Sequence, residues 1–213
     1  MNAVVYLHGF ASGPRSAKAH YFAARLAELG VPLRVPDLAQ GDFEHLTITG
    51  QLEAVDKVVA AGPATLIGSS MGGYVAALYA ARHPQVNRLI LLAPAFGLSG
   101  RWASVLGEER SREWERSGWL NVYHFGEGRE RRLSFALCEE GRRHEEYPDF
   151  QQPALIFHGR NDTVVPLENS VRFARGRANV KLHPLESDHE LLDVLPEIWS
   201  LSSEFLDPAQ ATR

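Results

Sequence analysis

The sequence predicts an α/β protein, a mainly parallel sheet of about six strands with helices on both faces, and three observations predict it. Short apolar runs rich in β-branched residues alternate with helix-period segments along almost the whole chain. Breakers such as Gly30, Pro32 and the pair Gly62-Pro63 fall between these segments. The 213 residues, 45% of them hydrophobic, suffice to bury one full core, so a single domain over residues 1–213 is expected.

The first strand is Ala3-Val4-Val5-Tyr6-Leu7, ending at His8-Gly9-Phe10. A helix is expected from about Ser16 to Leu29, because Tyr21, Phe22, Leu26 and Leu29 are spaced to share one buried face. Leu33-Arg34-Val35 reads as a short strand, and Thr47 to Ala61 as the next helix. Thr65-Leu66-Ile67 is β-branched and apolar, as a buried parallel strand should be. The Ala-rich run from Tyr74 to His83 reads as a helix that stops before Pro84. Further strands are expected at Arg88 to Ala93, Ala154 to Phe157 and Val180 to Leu182, with a helix from Pro166 to Arg175 between the last two. The closing helix reaches about Leu206 and is expected in two pieces, since Pro196 has no amide donor.

One stretch departs from the rhythm. Between Pro94 and Pro153 lies a segment rich in Arg and Glu that holds three of the four tryptophans, Trp102, Trp114 and Trp119, with Tyr123, Phe125 and Phe135. Its length demands structure of its own, a small cap insertion at about 97–150. Its aromatics either line an acyl pocket or fasten an amphipathic excursion onto the main core.

Bulk composition excludes several functional classes. The net charge of −4, with both signs interspersed, gives neither a nucleic-acid face nor a polybasic membrane anchor. The single cysteine, Cys138, precludes an internal disulfide, fits a reducing compartment and reads as a half-buried small apolar residue. With no charged leader and no long apolar stretch, the chain reads as cytoplasmic.

The chemistry concentrates at Gly68-Ser69-Ser70-Met71-Gly72, between the strand at 65–67 and the Ala-rich helix. That is the strand–elbow–helix context a G-x-S-x-G nucleophile requires; the alternative is an ordinary βα turn that happens to contain serine. A serine hydroxyl is a poor nucleophile until a base and an oxyanion site are supplied. Asp162, in His158-Gly159-Arg160-Asn161-Asp162, follows a strand end and is the preferred orienting acid, its bland role being an Asx turn in that loop. His189, in Ser187-Asp188-His189-Glu190, is the candidate base. Ser187 and Glu190 have capping-box spacing, which would put His189 in the first turn of the last helix, where an exposed structural histidine is the alternative. Asp188 is disfavoured as the acid because adjacent side chains diverge. The oxyanion donors would be the backbone N–H groups of Met71, at the start of its helix, and Phe10. His8 then serves the loop through a hydrogen bond of its ring.

L-H-G-F, G-S-S-M-G-G-Y, H-G-R-N-D-x-x-V-P and S-D-H-E together resemble the α/β-hydrolase superfamily across essentially the whole chain. The opening Leu7-His8-Gly9-Phe10-Ala11-Ser12-Gly13-Pro14-Arg15-Ser16-Ala17-Lys18-Ala19 is particularly similar to the small bacterial YqiA-type esterases. The resemblance implies an α/β-hydrolase fold and a Ser–Asp–His esterase of Ser70, Asp162 and His189, with no metal or organic cofactor. Its substrate would be a small-molecule acyl ester or thioester. Two departures stand out: the antiparallel strand pair that precedes the H-G strand elsewhere is missing, and the insertion matches poorly. Arg15 and Lys18 would either bind a substrate carboxylate or form a solvated face of the first helix. A thioesterase on the same triad is the nearest rival, and a non-catalytic binding protein of this fold the second.

Overall fold

Strand residues of alternating direction split the core in two. In a computed structural model that describes residues 3–59, 62–98 and 102–206, Val5, Leu7, Leu66, Leu89, Leu91 and Ile156 face one apolar cluster. Val4, Tyr6, Ile67, Ile90, Leu92, Leu155 and Phe157 face the other. Period-2 burial on both faces is the signature of a sheet covered on both sides. The strands are β1 (Ala3–Leu7), β2 (Leu33–Arg34), β3 (Ala64–Ser69), β4 (Val86–Leu92), β7 (Ala154–Gly159) and β8 (Val180–Leu185). They pair in the order β2-β1-β3-β4-β7-β8, every pair parallel. The described residues form the α/β-hydrolase fold.

Helices α1 (Ala17–Glu28) and α8 (Leu195–Leu206) cover one face, while α2 (Ile48–Val59), α3 (Met71–Arg82) and α7 (Leu167–Ala174) cover the other. The Ser16 hydroxyl accepts the Ala19 N–H at the start of α1. Gly30, at φ +71°, ends it in a Schellman motif, with Val31 N–H on the Leu26 carbonyl and Gly30 N–H on that of Ala27. Leu29 therefore lies past the last turn and is exposed rather than buried with Phe22 and Leu26. The end of the α2 helix expected at Ala61 lies outside the described residues. Two further expectations change. The last helix is one piece, because Pro196 sits in its first turn, where no amide donor is needed. The last strand continues through Pro184, which an edge strand tolerates.

The long excursion folds into α4 (Trp102–Leu106), α5 (Glu108–Ser117), the hairpin β5 (Trp119–His124) and β6 (Arg129–Ser134), and α6 (Ala136–Gly141). Trp114, Phe135, Leu133 and Cys138 join the main core, and the Trp114 indole N–H donates to the Leu133 carbonyl. Trp102 bridges inward, edge-to-face with both Trp114 and Phe10. Only Tyr123 and Phe125, among its aromatics, stand exposed, near the tip of the hairpin. No helix among the described residues is long and apolar enough to cross a membrane.

Glycines set how closely α3 approaches the sheet. A Cβ on Gly72 would lie 2.2 Å from the Leu7 carbonyl oxygen, and one on Gly68 would lie 2.4 Å from that of Gly72. Both neighbours are backbone and cannot swing aside. Gly72→Ala should therefore lower the unfolding free energy by about 3 kcal/mol, whereas Gly13→Ala, with open space around it, should stay within about 0.5 kcal/mol of wild type. Urea unfolding of the two variants checks the contrast.

Candidate active site

Strand β3 ends against α3 in a sharp bend, and Ser70 occupies the corner with φ +53° and ψ −118°. A non-glycine residue in that region is strained by roughly 1–3 kcal/mol and persists only where its surroundings over-determine it. Here the Ser70 N–H donates to the Leu92 carbonyl (2.8 Å), while its own carbonyl accepts from Gly73, Tyr74 and Ala95. The hydroxyl stands proud of the sheet's carboxyl edge.

His189 reaches it from the loop between β8 and α8. Asp162 lies on the loop after β7, its side chain fully buried. The Ser70 hydroxyl donates to His189 Nε2 at 3.0 Å, and His189 Nδ1–H donates to Asp162 Oδ2 at 2.7 Å. Three residues from distant parts of the chain thus meet in one hydrogen-bonded line. Asp162 plays its local role as well: Oδ1 accepts the Val164 and Val165 amides at 2.8 and 2.7 Å. Burial, the largest single influence, opposes its ionisation. Hydrogen bonds from His158, His189 and the Val165 amide together outweigh burial and hold the carboxyl well below the ordinary carboxylate range.

The capping-box expectation fails. His189 sits on a non-helical loop, and the turn is made by Asp188, whose Oδ1 accepts the Glu190 and Leu191 amides. That engagement also turns the Asp188 carboxylate to its own loop rather than to the neighbouring imidazole. The Ser187 hydroxyl donates to Asp193. Gly159 admits the loop: a Cβ there would lie 2.3 Å from the Asp188 carbonyl oxygen.

Sequence reasoning missed His158 and Ser170. The His158 ring is fully buried, with Nε2 2.8 Å from the Val165 carbonyl and 3.2 Å from Asp162 Oδ2, and Nδ1 2.8 Å from the Ser170 hydroxyl. A carbonyl only accepts, so Nε2 carries the proton and Ser170 donates to Nδ1. Asp162 Oδ2 is therefore faced by two imidazoles. The histidine of H-G-R-N-D was in view, but its partner Ser170 lies in α7, beyond any local pattern.

Met71 follows Ser70 at the start of α3, and Phe10 lies just beyond β1, the neighbour of β3. A Cβ on Gly9 would fall 3.5 Å from the Ser70 Cβ, so the Gly9-Phe10 segment runs alongside the bend. Neither the Phe10 nor the Met71 N–H takes part in the turn, loop and cap hydrogen bonds of the described residues. His8 holds this segment, as its expected structural role requires. Burial pushes it below the usual imidazole value, so the ring is neutral. It accepts the Leu38 N–H at Nε2 (3.2 Å) and donates from Nδ1 to the Gly9 carbonyl (3.0 Å). Carbonyl and N–H of a trans peptide point oppositely, so the Phe10 N–H faces away from that ring. Cys138 is buried, and burial pushes its thiol up to about 12, which removes it as a nucleophile.

Comparison with known proteins agrees with this architecture. The profile of a family described as Uncharacterised protein family (UPF0227) matches residues 3–206. No curated protein matches the sequence. Among solved structures, alpha/beta hydrolase domain-containing protein 10 from mouse superposes with TM-score 0.77 at 24% identity, covering 95% of this chain and 89% of that one. A protein of Agrobacterium vitis S4 gives TM-score 0.81 at 24% identity, covering 97% and 88%. Est1E from Butyrivibrio proteoclasticus gives 0.72 at 22%, covering 95% of this chain and 87% of that one.

 All three are under 25% identical, so what they share with this chain is the fold.

Two stability measurements probe the site without any substrate. Ser70→Gly removes the Cβ from a strained corner and should raise the unfolding free energy by about 1 kcal/mol. Asp162 has its folded value depressed, so its contribution is complete above the unfolded carboxyl value of about 4 and is lost as pH falls toward the folded one. Asp162→Asn should therefore be less stable than wild type at pH 7 and should lose less stability between pH 4 and pH 2. Denaturant titrations across that range measure both effects.

Proposed function

The chain belongs to the UPF0227 family, and on that premise we propose that it is a serine hydrolase cleaving carboxylic esters through an acyl-enzyme. One observation carries the reading: a hydroxyl on a strained strand–helix bend lies 3.0 Å from an imidazole whose other nitrogen is 2.7 Å from a buried carboxylate. In this reading Ser70 Oγ attacks the ester carbonyl while His189 Nε2 takes its proton. The Phe10 and Met71 amides hold the oxyanion, and each would contribute roughly 10²–10³ in rate. The C–O bond then breaks, His189 protonates the departing alcohol, and a water deprotonated by His189 hydrolyses the acyl-Ser70 ester. Asp162 fixes the imidazole tautomer and balances the imidazolium that forms. Phe10 and Trp102, in edge contact at 5.7 Å, form a wall for the substrate beside the oxyanion loop.

The test is a p-nitrophenyl ester series of increasing acyl length, run with a fluorophosphonate probe. Wild type should be labelled stoichiometrically at Ser70. Ser70→Ala should take no label and lose at least about 10³-fold in kcat. Comparing kcat/KM on matched oxygen esters and thioesters then assigns the acyl bond. A wild-type protein that takes up no fluorophosphonate would refute the hydrolase reading.

A further inference from the structure

Lys18 breaks two rules at once. It lies in the first turn of α1, where the helix dipole disfavours a cation, and its side chain is only 9% exposed, although lysine is rarely buried unless paired. Its partner lies 172 residues away: Nζ donates to the backbone carbonyl of Glu190 at 2.8 Å and meets the Glu190 carboxylate at 3.2 Å. Lys18 is thus not part of a solvated helix face. Glu190 directly follows His189, and Leu191 after it is fully buried at φ +55°.

We propose that Lys18 is a positioning residue that anchors the His189 loop, acting through the Glu190 carbonyl. This rests on the hydrolase reading above. The other polar restraints on the loop come from its own short segment, from Ser70 or from the turn after β7, where the Asn161 N–H donates to the Ser187 carbonyl, while Leu191 packs into the cluster that holds Ala19 and Phe22. Asp188 and Ser187 bond within it, and Gly159 only makes room for it. Among these hydrogen bonds only that of Lys18 ties the loop to α1, which begins eight residues after Gly9. One helix start therefore couples the segment bearing the Phe10 amide to the loop bearing the base. The Glu190 carboxylate balances the ammonium, so the anchor adds little net charge beside the imidazole. A lysine that instead recognised a substrate carboxylate would have its ammonium free, and this one is engaged.

The experiment compares wild type, Lys18→Met, Lys18→Arg and Arg15→Ala by fluorophosphonate labelling of Ser70 and by kcat and KM on a neutral and an anionic p-nitrophenyl ester. Loss of the anchor should slow labelling and lower kcat by at least about tenfold, with KM within about twofold, because misplacing a base by about 1 Å costs up to roughly 10²-fold. Lys18→Arg, which still donates to the carbonyl, should recover most of that loss. Arg15→Ala should match wild type. In folded Lys18→Met the downfield proton resonance of the His189–Asp162 hydrogen bond should broaden or vanish, which a change in global stability alone would not produce. Should Lys18→Met fail to fold, Lys18→Gln, a shorter donor, carries the test and is expected to be intermediate. Labelling and kcat at wild-type levels in Lys18→Met or Lys18→Gln would overturn the anchor, as would a rise in KM confined to anionic esters. A wild type that resists the probe would instead remove the hydrolase reading on which the anchor rests.

Discussion

The bend at Ser70 is the constraint on which the rest depends. Its backbone is clamped from both sides, the N–H by Leu92 and the carbonyl by Ala95, so the end of β4 and the residues just after it hold the bend that follows β3. That clamp works only if α3 starts close against β1, which is why residues 68 and 72 have no side chain. The cost of the positive φ is met by backbone hydrogen bonds rather than by side-chain packing. Substitutions in the hydrophobic core can therefore weaken the protein without relaxing the corner.

Around that corner, charge is handled by pairing rather than by solvent. Asp162 is buried, and its four hydrogen-bond partners come from the Val164 and Val165 amides, His158 and His189. An ionised carboxylate with only His189 for company would be costly to bury. The second imidazole is itself held by Ser170 and the Val165 carbonyl. Lys18 is satisfied in the same way, by a carbonyl and a carboxylate from one residue. Each buried ion thus fixes a loop while it is being neutralised.

How much of this was legible in the chain follows the range of the signals. The strands, the bend and the chain order of Ser70, Asp162 and His189 were readable because they rest on local composition and on a fixed topology. The S-x-x-E pattern at 187–190 misled because a capping box and an Asx turn share residue types, and the buried Leu191 at positive φ selects the turn. Lys18 was misread because lysine is usually solvated, and nothing near it in the chain names the distant loop that covers it. In the insertion, aromatic content was visible but its division was not. Trp114 and Phe135 go to the core, Trp102 to the wall by Phe10, and Phe125 outward, because those destinations depend on contacts with Phe10 and the distant Phe43–His45 turn.

Strain gives an independent pointer to the same place. Among the described residues five non-glycine positions have positive φ: Ala11, Gln40, Ser70, Ala93 and Leu191. Each lies between the carboxyl end of a strand and the next helix, following β1, β2, β3, β4 and β8 in turn. None lies on a connection from a helix back to a strand, although glycines with positive φ occur there, at Gly30 and Gly176. A fold selected only for stability would place glycine at such corners wherever they arise. Here glycines with positive φ occur at both edges, Gly41 and Gly97 on the carboxyl side included, but among the described sheet connections side-chain-bearing residues take positive φ at the carboxyl edge alone. Local rules are broken on the edge where the hydroxyl, imidazole and carboxylate meet, which is where a preorganised site would need them broken.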